Sequence, residues 1–182
     1  KIGTEKVWAF ADELDLPKII FVSKMDRERA DFFKVVQEIG TAFDIKASPM
    51  FLPIGAEDKF EGVVDLIKMK AYRYNRDGSG KGTGSDIPAD MEESVQEWRE
   101  KIIENIVEAN DELMEKYLEG QELSGEEIEQ TLVQAMKSGV LVPIVCGSTT
   151  LNMGVDQLMD LIVLGLPSPL ERGPFKGIRP DS

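Results

Sequence analysis

Two short loops hold the residue types best suited to chemistry in this 182-residue chain. One is Ser23-Lys24-Met25-Asp26, directly after the apolar run Lys18-Ile19-Ile20-Phe21-Val22. The other is Gly147-Ser148-Thr149-Thr150, directly after Val142–Cys146. Each apolar run reads as a strand buried on both faces of a parallel sheet. Open α/β sheets bind ligands beyond the carboxyl ends of such strands. If the two strands pair, the two loops become neighbours. Their side chains then suit a guanine base. Asp26 is an acceptor-only carboxylate that takes two roughly parallel N–H donors, as guanine presents at N1 and its exocyclic amine. The aliphatic stem of Lys24 can lie along a purine face. Backbone N–H groups at Thr149 and Thr150 are candidate donors to the base oxygen. Lys24 and Asp26 could equally be ordinary loop charges, but the preceding strand and the matching second loop argue against that.

The second chemical feature is a concentration of charge. The chain carries 34 acidic and 21 basic side chains, a net charge of −13. Asp86–Gln130 holds 16 acids against only Arg99, Lys101 and Lys116, so this stretch accounts for the whole imbalance. Such a surface repels phosphate backbones and anionic lipid, which excludes it as a nucleic-acid or membrane contact. It attracts a basic protein surface. Met91, Val95, Trp98, Ile102, Ile106, Ala109, Leu113 and Tyr117 form one apolar stripe, and Glu93, Glu97, Glu100, Glu104, Glu108, Asp111 and Glu115 lie opposite. Like charges at i,i+4 destabilise a helix by about 0.2–0.5 kcal/mol per pair, so stability alone would favour interspersed lysines. A solvated, solubilising face is the plainer alternative.

Composition removes other classes. There is no histidine, hence no histidine base or metal ligand, and no metal site is expected. The single Cys146 excludes an internal disulfide and fits a reducing, cytoplasmic compartment. No apolar run has membrane-spanning length, and Lys1–Lys6 reads as the interior of a longer chain, not as a signal peptide.

The elements that must position these residues follow from periodicity. Thr4–Leu14 predicts a helix with Val7, Phe10, Ala11 and Leu14 inward. Ala30–Phe43 predicts another, facing inward through Phe32, Phe33, Val36, Ile39 and Phe43. Met50–Ile54, Val63–Leu66 and Lys68–Tyr74 read as extended, the last as a half-exposed antiparallel strand. Asn75–Ser85 is a glycine-rich mobile hairpin or loop. Ala89–Leu118 reads as one long helix. Ser124 with Glu127 is a capping box opening a helix over Gly125–Lys137. Val140–Cys146 returns to a strand, and Gly154–Leu164 is a last helix. The fold class is α/β: part of a doubly wound sheet, interrupted by an α+β insertion. The divisions are 1–44 and 139–166 for the α/β part, 45–138 for the insertion, and 167–182 as a linker or disordered end.

Several strings resemble bacterial translation elongation factor G, in the same order. They are Gly3-Thr4-Glu5-Lys6-Val7-Trp8, Ser23-Lys24-Met25-Asp26-Arg27, Ile54-Gly55-Ala56-Glu57 with Phe60, Gly62-Val63-Val64-Asp65-Leu66, Asp86–Met91, Leu113–Leu118 and Cys146-Gly147-Ser148. The resemblance implies the second half of a P-loop GTPase-type G domain with its G′ insertion, joined to the remaining domains of a parent factor. It implies GTP or GDP as the parent's ligand, with Lys24 and Asp26 selecting guanine and Ser148 with Thr149 completing the base pocket. It also implies that the acidic helix docks on the basic C-terminal domain of the ribosomal stalk protein through Glu104, Glu108 and Asp111, with Glu97 and Glu100 beside them. The family pattern has Asn in place of Ser23, Ala in place of Thr149 and Lys in place of Leu151, which suggests a divergent, elongation factor G-like member.

The family's phosphate loop, its D-x-x-G motif and its catalytic histidine do not occur in these 182 residues. Gly80-Lys81-Gly82-Thr83-Gly84 mimics a phosphate loop only superficially, with no helix start beside it. The expectation is therefore no catalytic residue and no GTP hydrolysis by this chain alone. Nucleotide is not expected to bind it tightly. A non-catalytic binding module with a vestigial base pocket is the alternative. A ribosomal-protection relative is disfavoured by the 55–66 loop and the insertion length.

Overall fold

The computed structural model describes residues 2–171. Helix α1 (Ile2–Glu13) leads to strand β1 (Ile20–Val22), and α2 (Phe32–Phe43) follows. Asp31 starts α2: its backbone is extended and its carboxylate accepts the Lys34 N–H at 3.0 Å. Asp44 ends it in a left-handed conformation, donating its N–H back to the Gly40 carbonyl.

Strand β2 (Ser48–Pro49) comes next, and β7 (Pro143–Cys146) inserts between β1 and β2. The parallel sheet has the order β1-β7-β2, with Ile20 opposite Ile144, Phe21 opposite Val145 and Val22 opposite Cys146. The two apolar runs therefore pair, and their loops emerge side by side. All four residues of β7 are buried, whereas β1 is only half-buried at each position. The expected burial on both faces fails for β1: among the described residues less packs over it than over β2, which is also an outer strand yet is buried at both positions. Helix α1 likewise departs from its expected inward stripe. None of its residues is buried; Val7 and Phe10 are exposed, as is Leu14 just after its end. Trp8 holds α1 to α2 by stacking on Phe43 at 4.2 Å.

At Met50 the chain changes sheets. Its N–H donates to Ile144 in the parallel sheet (2.9 Å), and its carbonyl accepts the Leu66 N–H (3.0 Å). Strands β3 (Phe51–Ile54), β4 (Gly62–Asp65), β5 (Lys70–Arg73) and β6 (Thr83–Ser85) form an antiparallel meander in that order. Leu52, Val63, Val64, Leu66 and Ala71 are fully buried in it. The glycine-rich segment is a hairpin whose last three residues are β6, paired with β5. Asp65 is buried, which pushes its pKa up. The Ile67 and Lys68 N–H groups oppose that shift by donating to its carboxylate at 2.8 and 2.9 Å.

The single helix expected over Ala89–Leu118 is two helices. After a 3-10 turn, α3 spans Glu92–Val107 and α4 spans Asp111–Leu118. Between them Asn110 is extended (φ −148°, ψ 110°), and its side chain accepts the Leu113 N–H at 3.1 Å. The apolar stripe stays in phase across the break, so periodicity conceals it, while Asn110 carries the start signal. Phe33 also departs from the expected inward face. It is 44 % exposed, and its ring stacks on Trp98 at 5.7 Å, tying α2 to α3. Arg99 of α3 donates to the Leu66 and Ile67 carbonyls, anchoring α3 on the end of β4.

The capping box forms as expected at the start of α5 (Gly125–Lys137): Ser124 Oγ accepts the Glu127 N–H, and Glu127 accepts the Ser124 N–H. Lys116 of α4 meets the same Glu127 carboxylate at 2.6 Å and, with Ser124, holds its pKa down to about 2. Helix α5 packs on both α3 and α6 (Val155–Gly165). After α6, Ser168 donates its N–H to Glu171, which pairs with Lys137 at 2.5 Å. The linker expected at 167–182 lies mostly outside the described residues. Among the described residues, no helix is long and apolar enough to cross a membrane.

The Asn110→Ala variant separates one helix from two by the sign of its effect. In a continuous helix alanine would stabilise by a few tenths of a kcal/mol. With the observed cap it should destabilise by about 1 kcal/mol, read as a lower urea midpoint at unchanged slope.

Candidate functional site

The β1–β7 pairing brings the two candidate loops into direct contact. Met25 donates its N–H to the Gly147 carbonyl (3.2 Å), and Gly147 donates to the Val22 carbonyl (3.0 Å). At the loop tips, Ser23 Oγ and Thr149 Oγ1 lie 3.4 Å apart, linking positions 126 residues apart in sequence. Only glycine fits at 147, because an added Cβ would sit 2.4 Å from the Met153 carbonyl oxygen and 2.9 Å from the Phe21 ring.

Within the first loop, Met25 is buried and acts as the anchor, while Lys24 is exposed in a left-handed conformation (φ 66°). Asp26 is nearly enclosed, its side chain 11 % exposed. Its Oδ2 lies 3.6 Å from Arg27 Nε. Its Oδ1 is the one buried side-chain oxygen or nitrogen without a hydrogen-bond partner among the described residues. An unsatisfied buried acceptor costs about 1–3 kcal/mol, so such an atom is a mark of function when the surroundings hold it in place. A carboxylate with a free lone-pair edge beside an exposed lysine fits the Watson–Crick edge of guanine.

The second loop is closed at its base. Ser148 and Met153 exchange backbone hydrogen bonds at 2.9 Å in both directions, and Ser148 Oγ accepts the Leu151 N–H at 3.2 Å. Ser148 is fully buried, so its hydroxyl shapes the turn. Thr149 and Thr150 are exposed at the tip, and among the described residues their amides make no backbone hydrogen bond. Neither loop presents a cradle of backbone N–H groups for phosphates.

The antiparallel sheet reaches both loops, through residues that sequence reasoning did not single out for a site. Tyr74 donates its hydroxyl hydrogen to Asp156 Oδ1 at 2.5 Å, and the Gly82 N–H donates to Asp156 Oδ2 at 3.2 Å. Burial and the adjoining Asp156 carboxylate push the Tyr74 phenol far above its ordinary pKa. The Asn152 side-chain amide, in the second loop, donates to the Gly78 carbonyl at 3.2 Å. The hairpin is thus pinned to α6 and beside the second candidate loop. Its only sequence signal was an excess of glycine, which conveys close approach but not to what.

The acidic candidates lie apart from this site. Glu97, Glu100 and Glu104 are exposed on α3, Glu108 is exposed at its end, and Asp111 opens α4. The break at Asn110 separates Glu108, at the end of α3, from Asp111, which opens α4, so the acids do not lie on one continuous helix face. The charges are also partly answered. Glu97 pairs with Lys101 at 2.6 Å and Glu108 pairs with Lys46. The Lys46 contact offsets the unfavourable placement of a carboxylate at a helix C-terminus. Tyr117 Oη lies 3.4 Å from Glu104, and burial together with that carboxylate raises its pKa.

Comparison with known proteins gives concordant likenesses. The family model described as the elongation factor Tu GTP binding domain matches residues 1–168. Elongation factor G of Aquifex pyrophilus is 46 % identical over 180 residues, covering 98 % of this chain and 26 % of that protein. The chain therefore spans about a quarter of that relative's length. A crystal structure of a Thermus thermophilus protein superposes with a TM-score of 0.83 at 35 % identity, over 94 % of this chain and 25 % of the other.

Tyr74→Phe removes the hydroxyl that clamps the hairpin to α6 while keeping the ring. It should lower stability by about 1–2 kcal/mol in chemical denaturation. Amide exchange should speed up first across 75–85 and 148–153.

Proposed function

This chain belongs to the elongation factor Tu GTP-binding domain family, and on that premise we propose that it is the base-reading half of an elongation factor G-like G domain, carrying an acidic insertion for ribosome recruitment. In this reading 45–138 is the insertion, 1–44 and 139–166 belong to the G domain, and 167–182 leads to further domains. The parent factor would promote translocation or ribosome recycling in the cytoplasm, with GTP hydrolysis supplied by parts outside this chain. Bound GTP brings the hydrolysable phosphates; what these residues contribute is recognition of the base.

The observation that carries the reading is the partnerless, buried Oδ1 of Asp26, held beside a second loop that touches the first. Asp26 would accept the two N–H donors of guanine, Lys24 would cover one ring face, and the Thr149 and Thr150 amides would donate to the base oxygen. Ser23 and Thr149 would keep the two loops in register. Ser148 would contribute by holding the turn from within. Discrimination by such a site is strong, because a base with the wrong donor pattern leaves a buried acceptor unpaired. Asp26→Asn in the full-length factor should therefore reverse the preference, from guanosine to xanthosine triphosphate, in competition binding. An unchanged preference removes Asp26 from this role.

For the acidic face, Glu97, Glu100, Glu104, Glu108 and Asp111 would meet a lysine-rich surface, the C-terminal domain of the ribosomal stalk protein. Exposed charge of one sign steers encounter more than it adds affinity. Binding of that domain should weaken steeply between low and moderate salt, and the pair Glu104→Lys with Glu108→Lys should cut the association rate by about tenfold. Titration of the chain with the isolated stalk domain reads both. Absence of binding at low salt leaves the alternative of a different basic partner.

A further inference from the structure

The string Ile54-Gly55-Ala56-Glu57 with Phe60 resembles its relatives, yet neither guanine recognition nor acidic docking uses it. Its geometry is built for one purpose. Gly55 is left-handed (φ 73°), and an added Cβ would lie 2.2 Å from the Lys59 carbonyl oxygen, so the chain folds back too tightly for any other residue. Phe60 is fully buried beneath the turn. The Phe60 N–H returns to the Glu57 carbonyl (3.1 Å), and the Glu61 N–H returns to Ile54 (3.0 Å). Arg76 of the hairpin donates to the Asp58 and Phe60 carbonyls, locking the turn from below.

This rigid turn presents Glu57 to the first base loop. Glu57 has a left-handed φ of 56°, uncommon for a residue with a side chain and maintained only where surroundings enforce it. From there its N–H donates to the Met25 carbonyl at 2.9 Å, and its carboxylate accepts the Arg29 N–H at 2.7 Å. The two bonds grip the loop on either side of Asp26. The second is charge-assisted, hence short and strong.

We propose that Glu57 is a positioning residue through which the antiparallel insertion sets the base-reading carboxylate of Asp26. The inference rests on the reading of Asp26 as the guanine reader. Glu57 itself does not touch the base. It fixes the backbone at Met25 and Arg29, so that the partnerless oxygen of Asp26 stays aimed while no neighbour satisfies it. It follows that anything shifting the insertion is felt at the base pocket through this contact.

Two measurements test this. In the present chain, the Arg29 amide should exchange with solvent about tenfold faster in Glu57→Ala than in the wild type. Glu57→Gln keeps a carbonyl oxygen for the same N–H and should restore protection. In the full-length factor, release of a fluorescent GDP analogue should be about tenfold faster in Glu57→Ala and within about twofold of wild type in Glu57→Gln. Should Glu57→Ala not fold, Glu57→Asp, one methylene too short to reach, should accelerate release in the same sense. Unchanged release in Glu57→Ala or Glu57→Asp overturns the inference, and so does a Glu57→Gln variant as fast as Glu57→Ala with an equal fall in melting temperature. Asp26→Asn separates the two levels: if it leaves base preference unchanged, the reading of Asp26 fails. If it switches preference while Glu57→Ala releases GDP normally, only the role of Glu57 fails.

Discussion

Everything at the candidate site depends on the parallel pairing of β1 with β7. That pairing joins Ile20–Val22 to Ile144–Cys146 across most of the chain length, and no local interaction could substitute for it. It aligns the carboxyl ends of the strands, so the loops after Val22 and Cys146 emerge at one level. Met25 to Gly147 and Gly147 to Val22 extend the ladder into the loops themselves. The partnerless oxygen of Asp26 lies within that framework, on a side chain only 11 % exposed. Long-range pairing of this kind carries a loop-closure cost, which the segment between β2 and β7 offsets by folding into an antiparallel sheet and helices of its own.

The antiparallel sheet is joined to the parallel sheet and its loops at several places among the described residues. Met50 shares its two backbone groups between the sheets. Glu57 holds the first base loop, and the Tyr74–Asp156 and Asn152–Gly78 contacts hold the hairpin beside the second. An insertion attached at one edge could drift relative to the base loops; one attached at both loops moves with them. Met50 and the paired contacts make the two sheets a single mechanical unit around the site. The acidic helices hang on that unit through Arg99 and the Phe33–Trp98 stack.

Charge is segregated along the same lines. The two candidate loops sit in a part of the chain that is neutral overall, while the excess acids are carried by α3, α4, α5 and the segments between them. Screening limits the reach of exposed charges to about 8–10 Å, so the acidic face acts mainly on what lies close to it. The ion pairs of Glu97 and Glu108 lower the self-repulsion of the acidic face without removing its sign.

The sequence by itself determined what periodicity and residue chemistry encode. The buried strand β7, the capping box at Ser124, the α/β class and the candidate loops are all local patterns, legible because each residue's preference agrees with its neighbours'. The resemblance to elongation factor G was legible for the same reason, being carried by contiguous strings. Tertiary structure decided what depends on partners distant in sequence. The break at Asn110 was masked because the apolar stripe keeps phase through it; the local start signal at Asn110 was there, but the extended backbone at that residue is what shows the chain turning. The exposed face of α1 and the half-burial of β1 were misread because amphipathic spacing says which residues can be buried, not what lies there to bury them. The contact of Ser23 with Thr149 and the grip of Glu57 on Met25 and Arg29 left no local trace at all. They are hydrogen bonds between segments that become neighbours only when two strands far apart in the chain pair.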